Sequence, residues 1–309
     1  MRGSLLFYRD FQGLSGGHLK VWDYYCHAKH SDRYEPRIAL SRSSLAVDSN
    51  PWIQASPASV ESWDLRSLSA LFLGGLDWAV FPKQLPCPVI NLIQGVRHAS
   101  RWDPRRRFLS RRAIRICVSD EVAHAIQATG LVNGPIVTIP CGLNLDSLPP
   151  PLPASERDIR LLIVGVKNPA IAHSVAQRLT RDGYSSQLVV EHLPRSQFLS
   201  LVGRAHLAVL LPEKLEGFFL PALEAMALGT MVVCPDCVGN RGFCRDRETC
   251  FRPAYSVDGI VRSTIDALDM LQPEADEMLL NARRMVEQHT LEMERDRFLT
   301  LLDQLPHRL

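Results

Sequence analysis

Short apolar runs alternate with helical patterns along this sequence, and this alternation constrains the fold more than any other feature. In the first half the apolar runs suit buried strands, and the segments between them include two with helical spacing. Strands that alternate with helices favour a parallel sheet covered by helices. The strand candidates are LLFY, RIAL, SALFLGG, CPVINLIQG, AIRICVS and PIVTIP, and the two helical segments are GLSGGHLKVWDYYCHAKH and DEVAHAIQATG.

A proline-rich segment interrupts the alternation. LDSLPPPLPASERD, Leu145 to Asp158, contains four prolines and few apolar anchors, a composition typical of a stiff linker. The pattern then restarts, with DIRLLIVG, SQLVVEHL, HLAVLLP and TMVVC as strands between helical segments. We therefore predict two Rossmann-like parallel-sheet α/β domains, residues 1–150 and 151–280.

Composition excludes several classes of protein. The 309 residues are 46% hydrophobic and 22% charged, with a formal net charge of +2, which argues against disorder, a coiled coil or whole-chain binding to nucleic acid. The apolar run Leu5 to Tyr8 is shorter than a signal-peptide core, and no later run approaches the length of a membrane span. We expect a soluble protein that stays in the cytoplasm.

Eight cysteines in a chain without a secretion signal are expected to be reduced. Four of them, Cys234, Cys237, Cys244 and Cys250, lie close together and include a C-x-x-C pair, so a zinc site has to be weighed. A second tight pair is missing, and Cys234 ends the apolar run MVVC. Packing cysteines are therefore the favoured interpretation, and no metal site is predicted.

The segment EKLEGFFLPALEAMALGTMVV, Glu213 to Val233, places the carboxylates of Glu216 and Glu224 in an apolar stretch. Pro221 suits the first turn of a helix and Gly229 suits the position after its end, which predicts a helix from Pro221 to about Leu228. The preceding strand HLAVLLP delivers this segment to the carboxyl edge of the sheet, where open parallel sheets bind ligands.

Both carboxylates can then face one ligand. Glu224 lies near the positive end of the helix, and the backbone N-H groups of Phe218 to Leu220 could hold a phosphate. Carboxylates beside such a site accept hydrogen bonds from hydroxyls, and a molecule with adjacent phosphates and hydroxyls is a nucleotide sugar. The alternative is that Glu213, Glu216 and Glu224 only solvate a helix end.

EGFFLPALEAMALGTMVV resembles the E-x(7)-E donor-site signature of retaining GT-B glycosyltransferases, in particular of family four, with Phe219 in place of a glycine and Met231 in place of a proline. Two further segments are similar to the same family, LSGGHLKV near the N-terminus and AIRICVSDEVAHAIQATG followed by PIVTIPCGLNLD. The resemblance spans Leu5 to about Arg241.

This resemblance implies a GT-B fold, in which two Rossmann-like domains face a cleft and residues 281–309 form a helix that packs back on the first domain. It also implies metal-independent, retaining transfer of a sugar, of hexosyltransferase type, from a nucleotide-diphosphate donor to a hydroxyl acceptor. No cofactor is expected. The acceptor would belong to polysaccharide, glycolipid or cell-surface glycan synthesis.

The resemblance also assigns roles to residues. Glu216 would hold donor-sugar hydroxyls and favour positive charge at the anomeric carbon, and Glu224 would bind the ribose. After the first strand of the second domain the family usually has G-R-L-x-x-x-K-G, whereas this chain has VGVKNPAI with Lys167 as its one basic residue. The diphosphate would contact Gly16, Gly17, Lys167, Gly217, Phe218, Phe219 and Leu220, with Asn240 and Arg241 as secondary donor-site candidates.

A family catalytic-site histidine usually follows a strand like PVINLIQG, where this chain has Gln94. The nearest histidine is His98, which we take as a catalytic candidate, with a surface histidine as the alternative. Further along, RHASRWDPRRRFLSRRAIR concentrates arginines with two aromatic residues. Arg105, Arg106 and Arg107 are predicted to contact an anionic acceptor or the inner face of an anionic membrane, unless the segment is a solvated or ion-paired helix. No nucleic-acid motif accompanies them.

Two other functions use the same residues. A nucleotide-sugar epimerase of GT-B architecture would need no acceptor, and a non-catalytic sugar-nucleotide-binding protein would bind the donor without turnover.

Overall fold

The computed structural model describes residues 2–13, 16–55 and 64–308. The chain divides into two compact units, Met1–Cys141 with Leu291–Leu309 and Gly142–Thr290. The change of unit precedes the expected boundary at 150 because Leu143 already donates a backbone hydrogen bond, of 2.8 Å, to the carbonyl of His289 in the second unit. The chain returns to the first unit at Leu291, later than the expected 281.

The first unit contains a sheet of six parallel strands in the order β2-β1-β3-β4-β5-β6. Four α-helices accompany it within the described residues, α1 (Gly16–Ala28), α2 (Pro51–Ala55), α3 (Asp120–Gln127) and α9 (Leu291–Arg308). The strands are β1 (Gly3–Arg9), β2 (Tyr34–Leu40), β3 (Ala70–Gly74), β4 (Val89–Ile93), β5 (Ile114–Cys117) and β6 (Ile136–Thr138).

The six predicted strands of this unit are all present, and the central ones are buried on both faces, as is typical of parallel strands. β3, β4 and β5 are buried at every position. From β1 the chain crosses to β2 on one side, and the later strands extend the sheet on the other. Ligands bind at such a reversal, outside the carboxyl ends of the strands, which places a candidate site beyond β1 and β3.

A buried ionic cluster joins α1 to α9. Lys20 Nζ lies 2.8 Å from a carboxylate oxygen of Glu294 and 2.8 Å from one of Asp23. His27 Nε2 is 3.6 Å from the other Glu294 oxygen. Burial by itself raises the pKa of Glu294, but Lys20 and His27 outweigh it and hold the pKa below its usual range. Ion pairs as well as apolar packing therefore hold α9 against α1.

The second unit contains four parallel strands in the order β10-β9-β7-β8. Its topology repeats the reversal of the first sheet, here between β7 and β9. The strands are β7 (Ile159–Val164), β8 (Gln187–Val189), β9 (Ala205–Leu210) and β10 (Met231–Val233). The helices are α4 (Pro169–Arg181), α5 (Arg195–Arg204), α6 (Leu220–Ala227), α7 (Val257–Leu268) and α8 (Gln272–Glu287).

Helix α6 has nearly the predicted limits. Pro221 lies in its first turn, and Gly229 follows its end with φ of +70°, a left-handed conformation that favours glycine. The Gly229 amide donates to the carbonyl of Met226 at 3.0 Å and closes the helix. Within the described residues, no helix combines the length and the apolar character needed to cross a bilayer.

Candidate functional site

The carboxyl edge of the second sheet borders a cavity of about 190 Å³. Loops that follow β7, β8 and β9 and the start of α6 form its walls, at the reversal of strand order where this fold binds ligands. The volume is below the 300 Å³ or so of an ordinary ligand pocket, so it suits part of a larger molecule. The lining residues include Val166, Lys167, Glu191, His192, Phe198, Phe219 and Pro221.

Lys167, which lines this cavity, forms an ion pair with Glu216. Lys167 follows β7 and Glu216 precedes α6, so the parallel topology brings together two residues that are far apart in sequence. The Lys167 ammonium also lies 5.6 Å from the centre of the Phe219 ring, a cation–π distance. Side chains of Lys167 and Glu216 are 41% and 18% exposed, so both charges remain accessible to a ligand.

Glu224 is buried inside α6, at 2% exposure. Burial raises its pKa, and the guanidinium of Arg195 acts in the opposite direction at 2.5 Å. Arg195 begins α5 and is half exposed. Glu224, which was predicted to bind the ribose, thus forms an ion pair with Arg195. Arg195 was not predicted as a site residue, although PRSQF places it in the first turn of a helix.

Gly239 packs directly against the backbone that precedes α6. A Cβ at Gly239 would lie 2.6 Å from the Phe218 amide nitrogen, and the Gly239 carbonyl accepts a 3.0 Å hydrogen bond from the Phe219 amide. Of the three amides expected to hold a diphosphate, Phe219 N-H is therefore already used, and those of Phe218 and Leu220 remain candidates. Gly217 is buried beside them.

The two secondary donor-site candidates have different surroundings. Asn240 is fully buried, and its amide nitrogen donates to the Pro235 carbonyl at 3.0 Å and to Cys234 Sγ at 3.1 Å. It holds the loop after β10 in shape and presents no side-chain group to solvent, which corrects its assignment as a ligand contact. Arg241 is on the surface and pairs with Asp236 at 2.7 Å. The four clustered cysteines are buried in the core of the unit.

In the first unit, a cavity of about 660 Å³ lies beyond β1, β2 and β3. We call it the polar cavity because its lining includes Arg9, Asp10, Gln12, His18, Ser41, Ser43 and Asp77. Arg9 forms an ion pair with Asp77 and lies 2.7 Å from His18 Nδ1. Burial raises the pKa of Asp77 to about 6 against the opposing effect of Arg9. Burial and then Arg9 lower the pKa of His18. None of these three residues was predicted from the sequence; the available signal was LSGGHLKV, in which His18 follows the glycines.

Gly16 and Gly17 are the first residues of α1. The Gln94 side chain, at the end of β4, donates to the Gly17 carbonyl at 3.1 Å. Gln94, at the position where the resembling family usually has a histidine, thus stabilises the start of α1. That these glycines face an anion stays a prediction.

His98 lies in a short 3₁₀ helix, Val96–Ala99, and is only 3% exposed. Burial lowers its pKa to about 4; Arg105 and Arg115 act in the same direction, and Asp103 opposes them. The imidazole is therefore neutral at neutral pH. His98 does not line the polar cavity, so its catalytic role stays a prediction without geometric support.

The buried His98 predicts a loss of stability in acid. Its pKa in the unfolded chain is near 6.5 and its folded value is about 4, so the unfolded state binds more protons between these values and stability falls as pH falls. Between about pH 7.5 and pH 5 this one group should cost the first unit about 2 kcal/mol. Urea titrations at both pH values should show that difference shrink in His98→Gln; an unchanged difference would contradict the assignment.

Arg105, Arg106 and Arg107 do not form one surface. They lie in a 3₁₀ helix, Pro104–Phe108, where three residues complete a turn and successive side chains diverge. Arg105 pairs with Asp103 at 2.5 Å beside the polar cavity. Arg106 Nε donates to the Ala99 carbonyl at 3.0 Å, and Arg107 lines a different cavity. The predicted single acceptor or membrane patch is therefore divided.

Comparisons with known proteins agree with this geometry. Residues 147–285 match the family model described as Glycosyl transferases group 1. No curated protein sequence matches the chain significantly.

Solved structures resemble the whole chain. Sucrose-phosphate synthase from Thermosynechococcus elongatus has a TM-score of 0.73 at 14% identity, covering 99% of this chain and 100% of its own. HepE of Anabaena, solved with UDP and glucose, has a TM-score of 0.71 at 12% identity, with coverage of 98% and 100%. A glycosyltransferase from Rickettsia africae has a TM-score of 0.68 at 13% identity, with 99% of each chain covered.

The matched neighbours are GT-B glycosyltransferases, and the matched family model covers nearly all of the second unit. Residues 147–285 thus match the model of the Glycosyl transferases group 1 family, and the chain has the GT-B fold over its whole length.

Proposed function

We propose that this protein is a retaining, metal-independent glycosyltransferase that uses a nucleotide-diphosphate sugar, with a uridine diphosphate sugar as the first candidate donor. The observation that carries the proposal is the Lys167–Glu216 pair beside the cavity at the carboxyl edge of the second sheet. HepE, a neighbour in fold, has been solved with UDP and with UDP-glucose, which favours this donor class.

The two charges have complementary tasks in such a reaction. When the bond between the anomeric carbon and the donor phosphate breaks, negative charge grows on the diphosphate and positive charge grows on the sugar. The Lys167 ammonium would stabilise the diphosphate, and the Glu216 carboxylate would accept sugar hydroxyls and stabilise the cationic carbon. The acceptor hydroxyl then bonds to that carbon and gives its proton to the leaving phosphate oxygen.

Metal independence follows from this arrangement as part of the proposal. Lys167, the half-exposed Arg195 and the free amides before α6 supply the positive potential that a cation would otherwise provide. We propose that Glu224, paired with Arg195, orients that guanidinium toward the nucleotide and retains its predicted contact with the ribose.

The acceptor is proposed to bind at the polar cavity of the first unit. Asp10 there accepts hydrogen bonds from Gln12, Ser41 and Ser43 at 2.8 to 3.0 Å, the type of groups that bind sugar hydroxyls. Leu76 and Val80 line the cavity and are more than half exposed, and Trp102, which precedes the lining residue Asp103 in sequence, is 93% exposed. These apolar side chains support a glycolipid or lipid-linked glycan as acceptor, at the cytoplasmic face of an anionic membrane.

One experiment separates the candidate functions. Purified protein is incubated with UDP-, GDP-, ADP- and TDP-sugars, with and without glycan and glycolipid acceptors, in the presence and absence of EDTA. Acceptor-dependent product with the donor's anomeric configuration, unaffected by EDTA, would support the proposal. A changed sugar formed from the donor alone would instead indicate an epimerase, and donor binding without any product would indicate a binding protein.

A further inference from the structure

The two crossovers that flank β4 are irregular. Residues 75–88 and 94–113 are all described, and they contain only 3₁₀ helices, of which the longest is Pro104–Phe108. In parallel sheets such connections are usually α-helices that cover the sheet face. Here the irregular segments leave a gap between them, and the gap is a cavity of about 970 Å³.

The walls of this cavity are strongly basic. Four of its lining residues are cations, and no lining residue is acidic. None of the four forms an ion pair with a carboxylate within the described part of the chain. The four cations are Lys83, Arg107, Arg111 and Arg112.

Arg111 connects the two crossovers. Its Nη1 donates to the carbonyls of Trp78, Phe81 and Pro82 at 3.0 to 3.4 Å. Burial and, to a smaller extent, the neighbouring charge of Arg107 lower the pKa of Arg111. Lys83, Arg107 and Arg112 are exposed, so their charges are available to a ligand.

The aromatic residues of this cavity are not available for stacking. Trp78 and Phe108 pack with their ring centroids 6.2 Å apart and nearly parallel, and both are almost fully buried. A nucleic-acid base would find no exposed ring face. The other polar lining groups are the side chains of Gln84, Ser110 and Asn133, whose oxygen atoms can accept hydrogen bonds from hydroxyls.

We propose that this cavity binds a phosphorylated polyhydroxyl ligand with at least two phosphate groups. Arginines match phosphate through paired N-H donors, and four cations around one space exceed what a single phosphate needs. The cavity volume is also at the upper end for a small-molecule site. This ligand is either a free metabolite or the phosphorylated headgroup of a lipid, and its site does not depend on the reaction proposed above.

The test measures binding rather than activity. Phytate serves as the probe with several phosphates and inorganic phosphate as the probe with one, in calorimetric titrations of the full-length chain. The variant is Lys83→Gln/Arg107→Gln/Arg112→Gln, which keeps Arg111 and its structural hydrogen bonds. The matched control, Arg33→Gln/Arg37→Gln/Arg297→Gln, removes the same charge from other exposed positions of the first unit.

We expect phytate to bind the unmodified protein, to bind the cavity variant at least roughly tenfold more weakly, and to bind the control with nearly unchanged affinity. Inorganic phosphate should bind far more weakly. Sedimentation with phosphatidylcholine vesicles, with and without phosphatidic acid, distinguishes the two sources, since a headgroup ligand predicts cosedimentation that the cavity variant loses. Absence of both phytate and vesicle binding, or equal loss in the cavity variant and the control, would overturn the proposal.

Discussion

Glu216→Gln is expected to lower kcat by about 100-fold or more, the magnitude typical of removing one charge-stabilising group from a transition state. The side chain pairs with Lys167 at the cavity and carries no apolar packing of the core. Glutamine keeps its shape and removes its charge. The variant should therefore fold normally, and the loss should appear in kcat more than in the binding of the nucleotide diphosphate.

The neighbouring Glu213→Gln is the matched control, since it removes the same charge from the same loop. Donor affinity is measured by calorimetry and turnover by product formation under saturating donor. Near-native turnover in Glu216→Gln would refute the role of this residue. A parallel loss in both variants would show that only the net charge of the loop matters.

Lys20→Met is expected to destabilise the first unit by about 3 to 5 kcal/mol near neutral pH, the range observed when one partner of a buried ion pair is removed. The substitution removes the ammonium partner of the Glu294 carboxylate, which is 2% exposed, and leaves His27 at 3.6 Å from it. A buried carboxylate that has lost its cation binds a proton more readily, so part of the lost stability should be recovered as the pH falls toward 5.

The double variant Lys20→Met/Glu294→Leu tests the cause. Replacing both charges by apolar side chains of similar size removes the buried Glu294 charge, while Asp23, whose side chain is 26% exposed, keeps contact with solvent. Stability should therefore return to within about 1 kcal/mol of the original. Because two units need not unfold together, hydrogen exchange of the amides in α1 and α9 is the appropriate measurement. If the double variant is as unstable as Lys20→Met, lost packing rather than lost charge is responsible.

Much of the fold could be predicted because its signals are local. Apolar runs of strand length mark β1 to β10, and Pro221 with Gly229 marks the limits of α6 to within one residue. Both depend on the conformational preferences of neighbouring residues. The loop that carries Glu216 could be placed at the sheet edge for the same reason, since it directly follows β9.

Contacts between distant segments could not be predicted in this way. Nothing in VGVKNPAI or PRSQF shows that Lys167 meets Glu216 or that Arg195 meets Glu224. Asn240 carries an amide group of the kind that binds ligands, yet this amide donates hydrogen bonds to Pro235 and Cys234 and stabilises the loop itself. Sequence position identifies the loop but not the direction in which each side chain points.

The arginine-rich segment shows the same limit. Its sequence indicates concentrated positive charge, but a 3₁₀ helix distributes Arg105, Arg106 and Arg107 among a salt bridge, a backbone carbonyl and a separate cavity. The sequence by itself therefore determined the class of fold, the succession of strands and helices along the chain, and the loop that carries Glu216. Only the tertiary structure decided which charges become partners and which stay available, because that depends on backbone direction and on segments that the sheet brings together from far along the chain.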